Sequence, residues 1–304
     1  MRLVPSLSIL LFAALAQAQV NIGGSPREWQ EPTIATFGIP VVEFSMNDEV
    51  EQEVPGDFRY GTQRFKFVDV LSEGKWDLLP DGSYLCRVAL RSPSAAMISV
   101  QFDRWELEED ATVYLYTTDR TRFLGGFDDN NRGLDGTMAT AVLPGEEVII
   151  EYRTPQRTRK TGVLRVSSIT HGFIDLFQQA DPSEDRDYNP GYQSATCNIN
   201  MICPEAAAWQ THKRSVAMFL RPDGGGCSGN LVNNTQTPGR PYFHMANHCL
   251  VANTVGQYVF YFNYESPTCV GSTGPTTDVM TGATLRANYY WSDMTLLELN
   301  SAPP

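Results

Sequence analysis

Beyond its first twenty residues the sequence has no long apolar run, and basic residues are few. Lys and Arg number 23 against 35 Asp and Glu, which gives a net charge of −12. Without a second apolar run the mature chain has no membrane-spanning helix, which needs about 20 apolar residues. The acidic balance leaves no broad cationic surface, so it argues against nucleic acid or an anionic membrane as partners.

The N-terminus has the pattern of a secretory signal peptide. "MRLVPSLSILLFAALAQAQV" places Arg2 before an apolar run at residues 7–15, and the small residues Ala16 and Ala18 follow with signal-peptidase spacing. The run is too short to span a bilayer. We therefore predict cleavage after Ala18 and a secreted, extracellular product.

Short runs rich in Val, Ile, Tyr and Phe dominate the middle of the chain. "SYLCRVAL", "AMISVQFDRWEL", "ATVYLYTT", "EEVIIEY" and "GVLRVSSI" alternate apolar with polar residues, as half-buried antiparallel strands do, and Gly, Asn and Pro turns separate them. The alternation slips between Phe102 and Trp105, which indicates a β-bulge. The pattern predicts a jelly-roll-like β-sandwich.

The C-terminal third has the same strand-like character and no long 3.6-residue periodicity, which favours a small β-barrel over a helical domain. An acidic stretch with Pro and Gly, "QQADPSEDRDYNPGY", separates the two regions as a linker would. The predicted organisation is a signal peptide (1–18), an extended lead-in (19–55), the sandwich (56–177), a linker or processing region (178–194) and a barrel domain (195–304).

The six cysteines are unevenly placed, since Cys86 alone lies upstream and the rest fall in the last third. In an exported protein, thiols tend to pair as disulfides. The two regions are therefore expected to be stabilised differently.

Two histidines four residues apart, His244 and His248, lie in "YFHMANHC". On a helix this spacing would place both rings on one face, as in zinc hydrolases, but the general-base glutamate of that motif is missing and no third ligand is evident. A zinc-dependent hydrolase remains an alternative on these residues. A third histidine, His171, has no carboxylate cluster in its sequence neighbourhood and is interpreted as structural.

A histidine directly before a disulfide-bonded cysteine suits nucleophilic catalysis, because its backbone is held rigidly. Read together, "SATCNINMICPE", "CSGNLVNNT", "YFHMANHC", "FYFNYESPTC" and "SDMTLLELN" resemble, in order and spacing, the first half of the mature domain of bacterial lysyl endopeptidases. Those are secreted, chymotrypsin-like serine proteases that cleave after lysine. The upstream region resembles their N-terminal pro-region, so the implied architecture is all-β, with a sandwich pro-domain followed by the first barrel.

The resemblance implies a role for each matching residue. His248 corresponds to the general base, and Asp293 to the buried carboxylate that orients it. Met245 replaces the usual threonine near the histidine, which is tolerable packing variation. No cofactor is implied, the substrate is a polypeptide, and the pro-region is expected to pack on the protease domain.

The resemblance also implies a disulfide scheme. Cys227 pairs with Cys249, and Cys203 with Cys269. Cys197 corresponds to a cysteine whose partner lies in the second half of the protease, so Cys197 and Cys86 have no assigned partners.

The nucleophilic serine of the family has no counterpart here. Ser301 falls in the terminal tail, and Ser228 lacks the second glycine of a G-x-S-x-G motif because Asn230 stands there. The sequence thus predicts the first half only of such a protease, met as a fragment or a truncated product and inactive as this chain. The alternative is a secreted binding or adhesion protein with a degenerate protease-like domain.

Overall fold

The computed structural model describes residues 22–30, 38–45, 58–155, 162–176, 199–235, 239–269 and 274–304. The predicted signal peptide, the linker and Cys197 lie outside the described residues. Within these ranges the chain is built mainly of β-strands arranged in three sheets. The all-β class is therefore confirmed.

The first sheet has six strands. They are β1 (Val41–Glu43), β3 (Lys75–Leu78), β4 (Tyr84–Arg91), β6 (Thr112–Thr117), β7 (Phe123–Phe127) and β10 (Glu147–Thr154). Their order is β1-β4-β10-β6-β7, and β3 pairs with β4 on the same edge as β1. One pair departs from the predicted antiparallel arrangement, because β1 runs parallel to β4.

The second sheet has five strands. They are β2 (Gly61–Asp69), β5 (Met97–Glu106), β8 (Met138–Ala139), β9 (Leu143–Pro144) and β11 (Val163–Gly172). Their order is β2-β11-β5-β8, and β9 also pairs with β5. The predicted bulge is confirmed: Arg165 pairs with Arg104 and Val166 with Phe102, so Asp103 is the extra residue.

The inward-facing side chains of both sheets form one apolar core, as the alternation predicted. Trp105 is fully buried there and makes edge-to-face contacts with Phe102 and Phe127, with ring centroids 5.0 and 6.3 Å apart. Such aromatic pairs add to the stability gained by burial alone. The described residues 58–155 and 162–176, together with β1, thus form a two-sheet sandwich.

The third sheet is a seven-stranded half-barrel. Its strands are β12 (Val216–Leu220), β13 (Gly226–Val232), β14 (Tyr242–Met245), β15 (Val259–Phe262), β16 (Val279–Thr281), β17 (Ala283–Tyr289) and β18 (Met294–Leu299), in the order β16-β15-β12-β13-β14-β18-β17. All its pairs are antiparallel. Phe219, Phe243 and Phe260 pack in its core, as expected for a chymotrypsin-like barrel.

Helices are few and short. The α-helices are α1 (Arg27–Gln30) and α2 (Val70–Glu73). The 3-10 helices are Asp129–Asn131, Pro204–Trp209, His212–Ser215, Asn247–Cys249, Ala252–Gln257 and Tyr290–Ser292. In the described part of the chain, no helix is long and apolar enough to cross a bilayer.

The lead-in is not simply extended, because it contributes α1 and β1. Glu28 of α1 is buried and its carboxylate lies 2.5 Å from Nη1 of buried Arg87, while the carboxylate of Glu151 accepts the N–H of Arg27 at 2.5 Å. A buried charge needs such partners to offset its lost hydration. Helix α1 is thereby fixed to the outer face of the first sheet.

A separate apolar cluster joins the sandwich to the half-barrel. Tyr60, Met97 and Val142 of the sandwich pack with Val259 and Tyr261 of the half-barrel. The Tyr261 hydroxyl accepts the backbone N–H of Val142 at 3.2 Å. The two regions therefore share a continuous buried contact.

Candidate active site

His248 lies on the 3-10 helix Asn247–Cys249, directly after β14. β14 pairs with both β13 and β18, which fixes the point at which this helix begins. Met245, the last residue of β14, is buried in the barrel core and anchors the turn. The departure from threonine at this position is thus accommodated as apolar packing.

Asp293 follows the 3-10 helix Tyr290–Ser292 and precedes β18. Its backbone is left-handed, with φ 49°, a conformation that Asp tolerates better than most residues. Oδ1 accepts the backbone N–H of His248 at 2.8 Å, and Oδ2 lies 2.7 Å from Nδ1 of the imidazole. The Asp293 carbonyl also accepts the N–H of Asn247 at 3.1 Å.

These hydrogen bonds bring together two residues that are 45 positions apart in the sequence. The N–H and the ring of His248 favour the charged carboxylate and so hold the pKa of Asp293 below its ordinary value. With a carboxylate at Nδ1, the proton of a neutral ring is held on Nδ1 and Nε2 is left as the basic nitrogen. The dyad can therefore take up a proton at Nε2.

The expectation that Asp293 is buried is wrong. Its side chain is 51% exposed, and that of His248 is 62% exposed. The three residues before Ser292, Tyr289, Tyr290 and Trp291, are exposed as well, at 57 to 82%. Among the described residues nothing covers this edge, and the dyad lies open to solvent.

The two disulfides implied by the resemblance are present in the structure. Cys227 of β13 is bonded to Cys249, which links the barrel to the turn carrying His248. Cys203 is bonded to Cys269. The backbone on the C-terminal side of His248 is thus covalently tied to β13.

Cys86 is a buried thiol on β4 whose Sγ lies 3.2 Å from the carbonyl of Val70. It belongs to the sandwich core rather than to the candidate site. Cys197 lies outside the described residues, so its partner stays unassigned.

The helical spacing behind the zinc alternative is absent, because His244 is on a strand. It pairs with Asn230 and Leu296, and its side chain points away from the core into which Phe243 and Met245 project. In the described part of the chain, the one His, Cys, Asp and Glu cluster with close donor atoms is Cys227, His248 and Cys249. Its two sulfurs form the Cys227–Cys249 disulfide and do not offer thiolates to a metal.

Among the described contacts, neither serine considered as a nucleophile is hydrogen-bonded to His248. Ser228 lies on β13, where its backbone pairs with Met218, and its side chain lines a cavity of about 470 Å³ on the outer face of the sheet. Ser301 follows β18. Within the described ranges, Asp293 is the hydrogen-bond partner of the His248 ring.

Two residues that support the site were not identified from the sequence. The Asn247 side chain accepts hydrogen bonds from Asn288 and Thr295, at 3.1 and 3.2 Å. Arg221, which is 5% exposed, donates from Nη1 to the carbonyl of Cys249 at 3.1 Å. The "PDGGG" turn that adjoins Arg221 was visible in the sequence, but it gave no indication of the contact between Arg221 and Cys249.

The chain is similar in sequence to known proteins. Residues 192–304 match the family model described as "Lysyl endopeptidase, C-terminal domain". The resemblance to the lysyl endopeptidase family is confirmed. A lysyl endopeptidase from Pseudomonas aeruginosa is 23% identical over 250 residues, which cover 76% of this chain and 52% of that protein. The chain thus spans about half the length of this curated relative.

The family-model match and the alignment to the Pseudomonas protein cover different lengths of the chain. The family-model match includes both members of the His248–Asp293 dyad and both disulfides. The sandwich lies upstream of that match, and the longer alignment to the Pseudomonas protein is what extends the similarity beyond the barrel domain.

Proposed function

We propose that this chain is the N-terminal part of a secreted serine endopeptidase precursor of the lysyl endopeptidase type, acting on polypeptides after lysine. The observation that carries the proposal is the 2.7 Å contact of His248 Nδ1 with Asp293 Oδ2, with the histidine turn tied to β13 by a disulfide. The sandwich, 56–177, is the pro-region, and the signal peptide, 1–18, directs export.

In this mechanism His248 is the general base and Asp293 is its positioning residue. Nε2 takes the proton of an attacking serine hydroxyl, and the resulting imidazolium is stabilised by the Asp293 carboxylate. His248 then donates that proton to the leaving amine. No described residue places a serine beside His248, so the serine is supplied by another part of the complete protease.

We further propose that the 304-residue chain alone does not hydrolyse peptides. Transition-state charge in acyl transfer is stabilised by preorganised donors in a site that excludes water. Here both members of the dyad are more than half exposed. A base and its carboxylate without the nucleophile give negligible catalysis, because the triad acts as a unit.

A direct assay tests the inactivity. The purified chain is incubated with peptide amides that differ only in lysine, arginine or alanine before the scissile bond, and products are followed by mass spectrometry. We expect no cleavage above that of a His248→Ala control. Lysine-specific cleavage that is lost in the control would contradict the proposed inactivity of the chain and would support the catalytic role of the dyad.

Reading the coding sequence past codon 304 tests the family function. A continuing frame with a Gly-x-Ser-Gly motif supports the protease, and in that complete product His248→Ala should lower kcat by a factor of roughly 10⁴ to 10⁶. A stop codon there, with a stable product that binds a partner without hydrolysis, would support the secreted binding protein instead.

A further inference from the structure

The loop at residues 221–225, between β12 and β13, is bound by the sandwich. The Tyr60 backbone N–H donates to the Gly224 carbonyl at 2.8 Å, and the Tyr60 hydroxyl donates to the Arg221 carbonyl at 3.0 Å. Thr170 Oγ1 donates to the Pro222 carbonyl at 2.8 Å. Gly224 has φ +89°, and a side chain there would collide with the carbonyl of Gly61. The loop thus fits closely against the sandwich.

The other side of the same loop contacts the turn that carries His248. The Arg221 guanidinium binds both carboxylate oxygens of Asp223, at 3.0 and 3.1 Å, which fixes its plane. From that position Nη1 donates to the carbonyl of Cys249, the residue after His248. A side chain at Gly225 would collide with this guanidinium. The Asp223 carboxylate and the Gly225 backbone therefore confine the Arg221 guanidinium, and one of its donors is directed at the histidine turn.

We propose that Arg221 is a positioning residue that couples docking of the sandwich to the geometry of the His248–Asp293 dyad. The Cys249 carbonyl belongs to the single-turn 3-10 helix that also carries the N–H groups of Asn247 and His248. A shift of this carbonyl rotates the turn and misaligns the bonds from those N–H groups to Asp293. The catalytic consequence of this coupling rests on the proposed function, whereas the coupling itself is argued from the contacts of Arg221.

Replacement of Arg221 should loosen the turn without unfolding the barrel. The Cys249 carbonyl retains a second donor, the Tyr258 hydroxyl at 3.2 Å, and the Cys227–Cys249 disulfide remains. A buried hydrogen bond from a charged donor contributes more than a neutral one. The effect should therefore appear at Asn247 and His248 before it appears in the core.

Amide hydrogen exchange on the full chain measures this directly. In Arg221→Gln we expect the His248 and Asn247 amides to exchange about tenfold faster, the factor for a loss of roughly 1.4 kcal/mol. The Ile150 amide in the sandwich core should be unchanged. The matched control is Arg286→Gln, which removes a surface guanidinium bonded to Glu298 in the same half-barrel.

A second variant tests the coupling from the sandwich side. Tyr60→Phe deletes only the hydroxyl that donates to Arg221, and a neutral hydrogen bond of about 0.7 kcal/mol predicts roughly threefold faster exchange at the same two amides. Tyr114→Phe is the control, because it deletes a sandwich hydroxyl that donates to the Gly23 carbonyl of the lead-in. If Arg221→Gln does not fold, Tyr60→Phe decides alone.

Unchanged exchange at His248 and Asn247 in a folded Arg221→Gln would overturn the proposal. Equal acceleration at Ile150 would overturn it too, because it would show general destabilisation. Neither result depends on peptide cleavage. Failure of the coupling is thus distinguishable from failure of the proposed protease function.

Discussion

Asp293 accepts two hydrogen bonds from His248, one from the backbone N–H at Oδ1 and one from Nδ1 at Oδ2. The backbone bond fixes the distance between the two residues, and the ring bond fixes the orientation of the imidazole. Because the same carboxylate makes both bonds, the ring cannot rotate away without losing a charge-assisted contact. The dyad is therefore built before any substrate or nucleophile is bound.

Asp293→Asn should reverse the tautomer of His248. An asparagine can keep an oxygen toward the His248 N–H, but it then places an NH₂ group beside Nδ1, which must become the acceptor. The proton of the neutral ring moves to Nε2, and the ring can no longer act as a base there. Ring ¹⁵N chemical shifts at neutral pH report the change. Asp278→Asn, at a carboxylate that binds Asn263, should leave them unaltered.

Acid should release His248 from Asp293 only below the ordinary carboxyl pKa of 3.8. The His248 hydrogen bonds lower the pKa of folded Asp293, so its contribution to stability is present above 3.8. That contribution is lost as the pH falls through the lower folded pKa. The His248 amide shift should follow this titration, and Asp293→Asn should not show it. A midpoint above 3.8 would contradict the assignment.

Removal of the Cys227–Cys249 disulfide should affect both stability and the site. The bond joins residues 22 positions apart, and loop-closure entropy for such a length predicts a loss of roughly 3 kcal/mol in the double alanine variant. Urea unfolding measures the loss, and His248 amide exchange should also accelerate. Removal of Cys203–Cys269, which closes a longer loop of 66 positions, should cost roughly 4 kcal/mol of unfolding free energy while the His248 amide keeps its protection under native conditions.

The strands were predictable from local patterns, and the dyad from the family resemblance. Alternating apolar residues predicted β4, β5 and β10, and the slip before Trp105 predicted the bulge at Asp103. The pairing of His248 with Asp293 followed from motifs that match a known family. The strands and the bulge depend on residue types close together in sequence, whereas the dyad joins residues 45 positions apart and was predictable only through the family motifs around each of them.

The features that sequence reasoning missed depend on distant partners. Glu28 is buried because Arg87 lies 59 residues further along the chain, and nothing in the mixed lead-in sequence indicates that contact. Arg221 reaches Cys249 through tertiary packing over 28 residues. The exposure of Asp293 was also missed, because the family motif specifies its partner and not its surroundings.

His171 should make stability depend on pH. Burial, together with the nearby positive charge of Arg64, lowers its pKa to about 4 from the ordinary 6.5, and its Nδ1 lies 3.0 Å from Ser92 Oγ. The stabilisation is present above pH 6.5 and is lost as the pH falls toward 4, by roughly 3 kcal/mol in total.

Urea unfolding between pH 7 and pH 4 checks the dependence attributed to His171. A His171→Gln variant should show a smaller loss of stability over this interval, because it has no imidazole to protonate. His244→Gln, which changes an exposed histidine, should keep the slope of the original protein. Equal slopes in the two variants would contradict the assignment.

A fluorophosphonate should not label Ser228 at neutral pH. A serine hydroxyl becomes nucleophilic when a base within hydrogen-bond reach takes its proton, and the described partner of the His248 ring is Asp293. Intact-mass spectrometry should therefore find no adduct on the chain, with an active serine protease labelled in parallel as the positive control. An adduct that is absent from both Ser228→Ala and His248→Ala would make Ser228 the nucleophile and would require β13 to rearrange toward the dyad.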